Sequence, residues 1–70
     1  MKYNEGDICI VRNGGDKIAV RIEQKDDDIK NGRPGFDAQI VNAETYEDEG
    51  GSTNGLWGYD DQVLRVVKRG

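Results

Sequence analysis

Histidine is absent from this 70-residue sequence, and cysteine and proline each occur only once. Without histidine the commonest general base is missing, and no serine lies in a strained catalytic elbow. A single Cys9 can form neither an intrachain disulfide nor the His/Cys cluster of a zinc site. No apolar run approaches the roughly 18–20 residues that span a bilayer. We therefore expect a non-enzymatic protein with no metal, no cofactor and no membrane association.

The first residues also lack the features of an export signal. Met1–Asp7 has no apolar segment of the kind found in signal peptides. Cys9 lies within the apolar run Ile8–Val11, where we expect a buried thiol, and an odd thiol fits a reducing compartment. These features predict a cytoplasmic protein.

Three Asn-Gly dipeptides separate the short apolar runs of the chain: Asn13-Gly14, Asn31-Gly32 and Asn54-Gly55. Asn-Gly favours tight hairpin turns because both residues tolerate positive φ. Ile18, Val20 and Ile22 alternate with polar neighbours, which is typical of a half-buried strand. The pattern therefore predicts antiparallel β structure.

Five strands follow from this pattern. The predicted strands are Ile8–Val11, Lys17–Lys25, Phe36–Val41, Leu56–Tyr59 and Val63–Val67. Asp26–Gly35 is predicted as a polar loop, with the third strand beginning just after Pro34 because proline cannot donate to a strand ladder. An acidic loop is expected over residues 44–55, and Asp60–Gln62 is expected to form one helical turn capped by an aspartate.

The predicted fold is a small all-β, five-stranded antiparallel SH3-like barrel, formed by residues 1–70 as one domain. A core of this size seldom supplies more than about 3–5 kcal/mol on its own. Closure of the sheet into a barrel, or pairing with another chain, is therefore the expected source of stability.

Three segments carry a resemblance to a known group of proteins: Glu5–Asp7, Gly32–Phe36 and Trp57–Val63. Together they resemble the small uncharacterised SH3-like proteins of tailed bacteriophages and prophages. The Gly-Asp opening is also typical of KOW and Tudor-type barrels. The resemblance implies a barrel and a phage or prophage origin in a bacterial host cell, and it implies no activity.

Charge is distributed unevenly along the chain. The formal net charge is −4, with 10 basic and 14 acidic residues. Through Gly35 there are seven of each, whereas from Phe36 onward three basic residues face seven acidic ones. A negative field of this kind repels phosphate backbones and attracts basic partners.

The expected binding surface combines aromatic and acidic side chains and takes a protein partner. SH3-like barrels bind ligands through aromatic rings near their loops, and neighbouring carboxylates favour cationic groups. The candidates are Trp57, Tyr59, Asp60 and Asp61 with Tyr46 and the loop residues Glu44, Glu47, Asp48 and Glu49. Tyr3 belongs to the same aromatic group. The structural alternatives are a Trp57 that covers the barrel core and an acidic loop that only aids solubility.

Nucleic-acid binding is the alternative function. The first half of the chain offers a basic strip: Arg12, Lys17, Arg21, Lys25, Lys30 and Arg33. Interleaved acids and a sequence pI near 4.6 weaken this interpretation. The run Asp26–Asp28 lacks the ligand spacing of a calcium loop and is expected to be a solvated turn. A monomer or a weak homodimer is expected. A third possible function is that of a structural or virion-associated protein whose barrel edge pairs with copies of itself.

Overall fold

The computed structural model describes residues 2–49 and 55–70. These residues contain five strands: β1 Ile8–Asn13, β2 Asp16–Lys30, β3 Arg33–Ile40, β4 Gly55–Tyr59 and β5 Val63–Lys68. The strands form one antiparallel sheet in the hydrogen-bonded order β4-β3-β2-β1-β5. A 3₁₀ turn, Asp60–Gln62, leads from β4 into β5. The predicted class is confirmed as a small all-β, barrel-like fold of five antiparallel strands, with one 3₁₀ turn before its last strand.

Strand β2 connects the two halves of the sheet. It is 15 residues long and pairs with β1 over residues 16–21 and with β3 over residues 20–30. The alternation expected for Ile18, Val20 and Ile22 directs these side chains toward the main core, where Val20 and Ile22 are fully buried and Ile18 is half-buried. Cys9 is buried in the same core, as predicted.

Tyr3 and Phe36 are the largest side chains of that core, and their rings meet edge to face at 5.8 Å. Tyr3 was expected among the surface aromatic residues, and this expectation is wrong because its side chain is only 1% exposed. The alternative that Trp57 covers the core is also wrong, since Trp57 is 45% exposed. The large aromatic rings of the core are therefore those of Tyr3 and Phe36.

A second, smaller apolar cluster lies on the other face of β1 and β2. Successive strand residues point to opposite faces, so Ala19 points away from the core that holds Val20. Ala19, Ile8 and Val41 are buried there, with Tyr46 packed against them. Strand β2 is therefore covered on both faces where the loop after β3 folds back, which the simple in–out alternation did not predict.

The predicted polar loop Asp26–Gly35 is wrong. Strand β2 continues to Lys30, and β3 begins at Arg33 after a two-residue turn. Both turn residues, Asn31 and Gly32, have positive φ (60° and 72°), so the Asn-Gly signal outweighs the polar composition. The Asp26–Asp28 run is consequently exposed β strand rather than a turn.

Pro34 lies inside β3, although the strand was expected to begin after it. The β2–β3 register is irregular between Asp26 and Lys30, so no ladder hydrogen bond is required from the proline nitrogen.

At the first hairpin the two turn residues are Gly14 and Gly15, because Asn13 still pairs with Asp16. Asn54 and the glycine-rich stretch 50–54 lie outside the described residues.

The 3₁₀ turn is capped differently from the prediction. The side-chain oxygen of Gln62 accepts the backbone N–H of Tyr59 at 2.8 Å, and the amide nitrogen donates to the carbonyl of Arg12 at 2.9 Å. Neither Asp60 nor Asp61 caps the turn. Gln62 reaches backward and across to β1, which leaves both carboxylates available for other contacts.

Candidate functional site

Trp57 and Tyr59 project from the same side of the edge strand β4. They are two positions apart, so strand geometry places both rings outward while Gly58 faces the core. A Cβ at Gly58 would lie 2.9 Å from the Phe36 ring, so the glycine lets the core ring approach. The two outward rings meet edge to face at 5.5 Å. Among the described residues Trp57 is the only large hydrophobic side chain that is exposed.

Two cations that flank the β2–β3 turn lie over these rings. Lys30 Nζ is 5.1 Å from the centre of Trp57, and the guanidinium of Arg33 is 3.9 Å from the centre of Tyr59. Arg33 also donates to Asp61 at 3.0 Å. Sequence patterning assigned Lys30 and Arg33 to a competing basic strip, but the fold brings them to the aromatic pair. Trp57, Tyr59, Lys30, Arg33 and Asp61 are called the aromatic surface below.

Asp60 and Asp61 have different roles although they are adjacent. Asp61 lies on the aromatic surface and pairs with Arg33. Asp60 accepts a hydrogen bond from the hydroxyl of buried Tyr3. Burial, reinforced by this bond, raises the pKa of Tyr3 above its ordinary value. Asp60 therefore anchors the 3₁₀ turn to the core.

The acidic loop, Glu44–Glu49, lies at the opposite end of β3 from the aromatic surface. Tyr59 pairs with Gly35 near the start of β3, whereas Asp48 bridges to Val41 just after its end. Six residue steps along a strand correspond to about 20 Å. The expected acidic and aromatic residues therefore form two separate surfaces.

The acidic loop is held in place by side-chain contacts with the sheet. Arg21 donates to both carboxylate oxygens of Asp48, at 2.5 and 3.2 Å, and this pairing lowers the pKa of Asp48. Tyr46 adopts positive φ (64°), which is uncommon for a bulky side chain. Its ring packs on the smaller apolar cluster, with Lys68 Nζ 5.9 Å from its centre. Glu44, Glu47 and Glu49 are exposed.

A shallow concavity adjoins Trp57 on the outer face of the sheet. Its lining includes Glu23, Asp37, Gln39 and Gly55. Asp37 is directly opposite Trp57 in the β3–β4 register and is exposed. Sequence reasoning did not select Asp37 or Glu23, because their proximity to Trp57 depends on the strand register. The signal that could have found Asp37 is its outward position in the alternating β3 pattern.

A second concavity lies beneath the acidic loop. It is lined by Tyr46 and by three cations, Arg21, Lys68 and Arg69. Arg21 is paired with Asp48, and Arg69 is paired with buried Asp7 at 3.0 Å. Two of the three charges are therefore already balanced, so the concavity is a poor site for an anion.

The six basic residues of the alternative hypothesis do not form one strip. Arg12 and Lys17 face each other at the β1–β2 turn. Arg21 contacts the acidic loop, and Lys25 donates to the carbonyl of Tyr3 at 2.8 Å. Only Lys30 and Arg33 lie beside the exposed aromatic rings.

The described residues, 2–49 and 55–70, contain no side-chain cluster suited to a metal ion and no helix that could span a membrane. Within these ranges no three His, Cys, Asp or Glu side chains are grouped so that they could hold a metal ion. No helix there is long and apolar enough to cross a bilayer. Comparison with protein-family models, curated proteins and solved structures found no match to this chain.

Proposed function

We propose that this protein is a small non-enzymatic binding module that docks a protein partner on its aromatic surface. The observation that supports this proposal most is Trp57, a large apolar ring exposed on an edge strand beside a second aromatic ring. Tryptophan, tyrosine and arginine dominate the energetics of protein interfaces, and all three meet here. Covering the exposed part of this ring in a complex would remove apolar surface from water, which favours association.

The acidic loop provides a second contact, separate from the first. Its exposed carboxylates and the net charge of −4 favour a partner with basic surface, because complementary fields accelerate association and align the partners. The resemblance of Trp57–Val63 to phage proteins favours an accessory role in the cytoplasm of a bacterial host, with a host or viral protein as partner. The protein acts as a monomer or a weak homodimer.

The test is capture from bacterial lysate with tagged protein, with and without nuclease, read by mass spectrometry. We compare the wild type with Trp57→Ala and with Arg65→Ala, an exposed residue on the other edge strand. Asp60 is left unchanged because it contacts the core residue Tyr3. A discrete protein retained by wild type and Arg65→Ala but lost with Trp57→Ala supports the proposal. Equal capture by all three proteins, or capture by none, contradicts it.

Nucleic-acid binding remains the second candidate, and Lys30 and Arg33 favour it. A cation beside an exposed ring is the arrangement on which unpaired bases stack. Phosphate contacts make affinity fall steeply with salt, so a labelled single-stranded oligonucleotide titrated at 50 and 200 mM salt distinguishes the two functions. Nuclease-sensitive capture with steep salt dependence would favour nucleic acid over protein.

A further inference from the structure

We infer that the concavity beside Trp57 receives an arginine side chain of the partner, stacked on the indole and paired with Asp37. The inference rests on the proposed function, since it specifies how the aromatic surface recognises its protein partner. Three observations support it: an arrangement of the same kind within this fold, a carboxylate opposite the exposed ring that has no partner among the described residues, and the charge around the concavity.

The arrangement within the fold is formed by Arg33, Tyr59 and Asp61. Arg33 stacks on Tyr59 at 3.9 Å and donates to Asp61 at 3.0 Å. A planar guanidinium can contact a ring face and a carboxylate together, which a compact ammonium group does less well. This part of the surface therefore already accommodates an arginine between an aromatic ring and a carboxylate.

Trp57 and Asp37 offer the same two groups without the arginine. They are cross-strand partners, so their Cβ atoms are separated by roughly 4.5–5.5 Å. Among residues 2–49 and 55–70, no hydrogen bond or ion pair engages the carboxylate of Asp37. A guanidinium entering the concavity would complete the aromatic–carboxylate arrangement.

The surrounding charge selects a cation for this position. Glu23 also lines the concavity, its side chain is 54% exposed, and its contact with Arg21 is long, at 3.7 Å. Lys30 already lies over Trp57 and shows that the ring accepts a cation. Lys30 has no carboxylate partner in the described part of the chain, whereas an incoming arginine gains one in Asp37.

The experiment uses Trp57 as its own reporter, because the chain contains one tryptophan. The probe peptide acetyl-Gly-Arg-Gly-amide is titrated against the full chain at low salt, and indole fluorescence is recorded. Acetyl-Gly-citrulline-Gly-amide, which has nearly the same shape but no charge, is the matched control. We expect a saturable change with the arginine peptide and none with the citrulline peptide.

Variants identify the carboxylate. Asp37→Asn should lower the affinity for the arginine peptide about threefold, which is within the range measured for exposed ion pairs. Asp16→Asn removes the same charge at the β1–β2 turn and should leave the affinity unchanged. Both residues are exposed, so urea unfolding is expected to show that both variants remain folded. Glu23→Gln should also lower the affinity for the arginine peptide, independently of Asp37.

The two proposals fail in different ways. Equal responses to the two peptides, or equal affinities in Asp37→Asn and Asp16→Asn, would overturn the arginine inference, while Trp57-dependent protein capture would still support the proposed function. A dimer in sedimentation velocity that disappears in Trp57→Ala would assign the concavity to a second copy and would also overturn the inference. Capture that does not depend on Trp57 contradicts the proposed function itself.

Discussion

Asp7 and Gly70 are joined by a hydrogen bond across 63 positions of sequence. The backbone N–H of Gly70 donates to one carboxylate oxygen of Asp7 at 2.8 Å. The other oxygen accepts the backbone N–H of Asn4 at 2.9 Å and a guanidinium N–H of Arg69 at 3.0 Å. The Asp7 side chain is 4% exposed. One buried carboxylate thus joins the segment before β1 to the segment after β5.

The first prediction is that this carboxylate makes stability sensitive to acid. The backbone bonds from Gly70 and Asn4, followed by the ion pair with Arg69, hold the pKa of Asp7 below its ordinary value. Because the folded pKa is lowered, the stabilisation is present above the unfolded pKa of about 3.9 and is lost as pH falls through the folded value. Asp7→Asn should therefore lower the urea midpoint at pH 7, and the difference from wild type should shrink below about pH 4. A difference that stays constant down to pH 2, or a similar loss in Asp16→Asn, would contradict the prediction.

The second prediction concerns Tyr3. Tyr3→Phe removes the hydroxyl that donates to Asp60 and should cost about 1 kcal/mol in the free energy of unfolding at pH 7. Burial raises the pKa of Tyr3, so its contribution is complete below the unfolded value of about 10 and declines as pH rises above it. Urea unfolding of wild type and Tyr3→Phe from pH 7 to 11 measures the difference in their free energies of unfolding, and this difference should decrease above pH 10. A difference that increases above pH 10 would be inconsistent with a buried neutral phenol.

The third prediction concerns the spacing of the strands that present the aromatic surface. A Cβ at Gly35 would clash with the carbonyl oxygen of Gly58 and with a methyl group of Ile29. Gly35→Ala must therefore displace β3 from β4, and we expect a loss of about 2 kcal/mol or more. Gly15→Ala is the control, because its Cβ would meet nothing within 4 Å. Chemical unfolding compares them, and equal stability of the two variants would refute the close approach.

Local patterns were sufficient to predict the strands, but not how far β2 extends. Alternation identified Val20 and Ile22, and the Asn31-Gly32 dipeptide marked the turn that the structure contains. The error over Asp26–Gly35 arose because polar composition was taken as a loop. The second part of β2, residues 23–28, is exposed on both faces. A strand of this kind needs no alternation of apolar residues, so its composition could not identify it.

Local sequence patterns also predicted only part of the candidate site. Trp57 and Tyr59 were predicted from residue type and are indeed outward. Asp37 was missed, and the acidic loop was wrongly expected to adjoin the two rings. Both errors arose because the positions of Asp37 and of the loop relative to Trp57 depend on the strand register of β3. Strand register is set by tertiary pairing, and no short segment of the chain contains it.

The fourth prediction concerns the reactivity of Cys9. The thiol is fully buried, and burial raises its pKa to about 11. Only the thiolate reacts rapidly, so a disulfide reagent at pH 8 should modify the folded protein slowly and the urea-unfolded protein at once. The rate of Cys9 modification under native conditions should be higher in Gly35→Ala, in proportion to the unfolded fraction of that variant. Rapid modification of the native protein at pH 8 would contradict the buried position.

The last prediction separates stability from binding at Trp57. Because the ring is 45% exposed on an edge strand, Trp57→Ala should change the free energy of unfolding by less than about 1 kcal/mol. Phe36→Ala, which empties the core beneath the same strand, should cost about 3–5 kcal/mol. Urea unfolding followed by circular dichroism measures both, since the tryptophan signal is lost in the first variant. A Trp57→Ala loss comparable to that of Phe36→Ala would mean that the indole supports the fold. A small loss, combined with failure to capture the partner, would mean that the exposed ring serves binding.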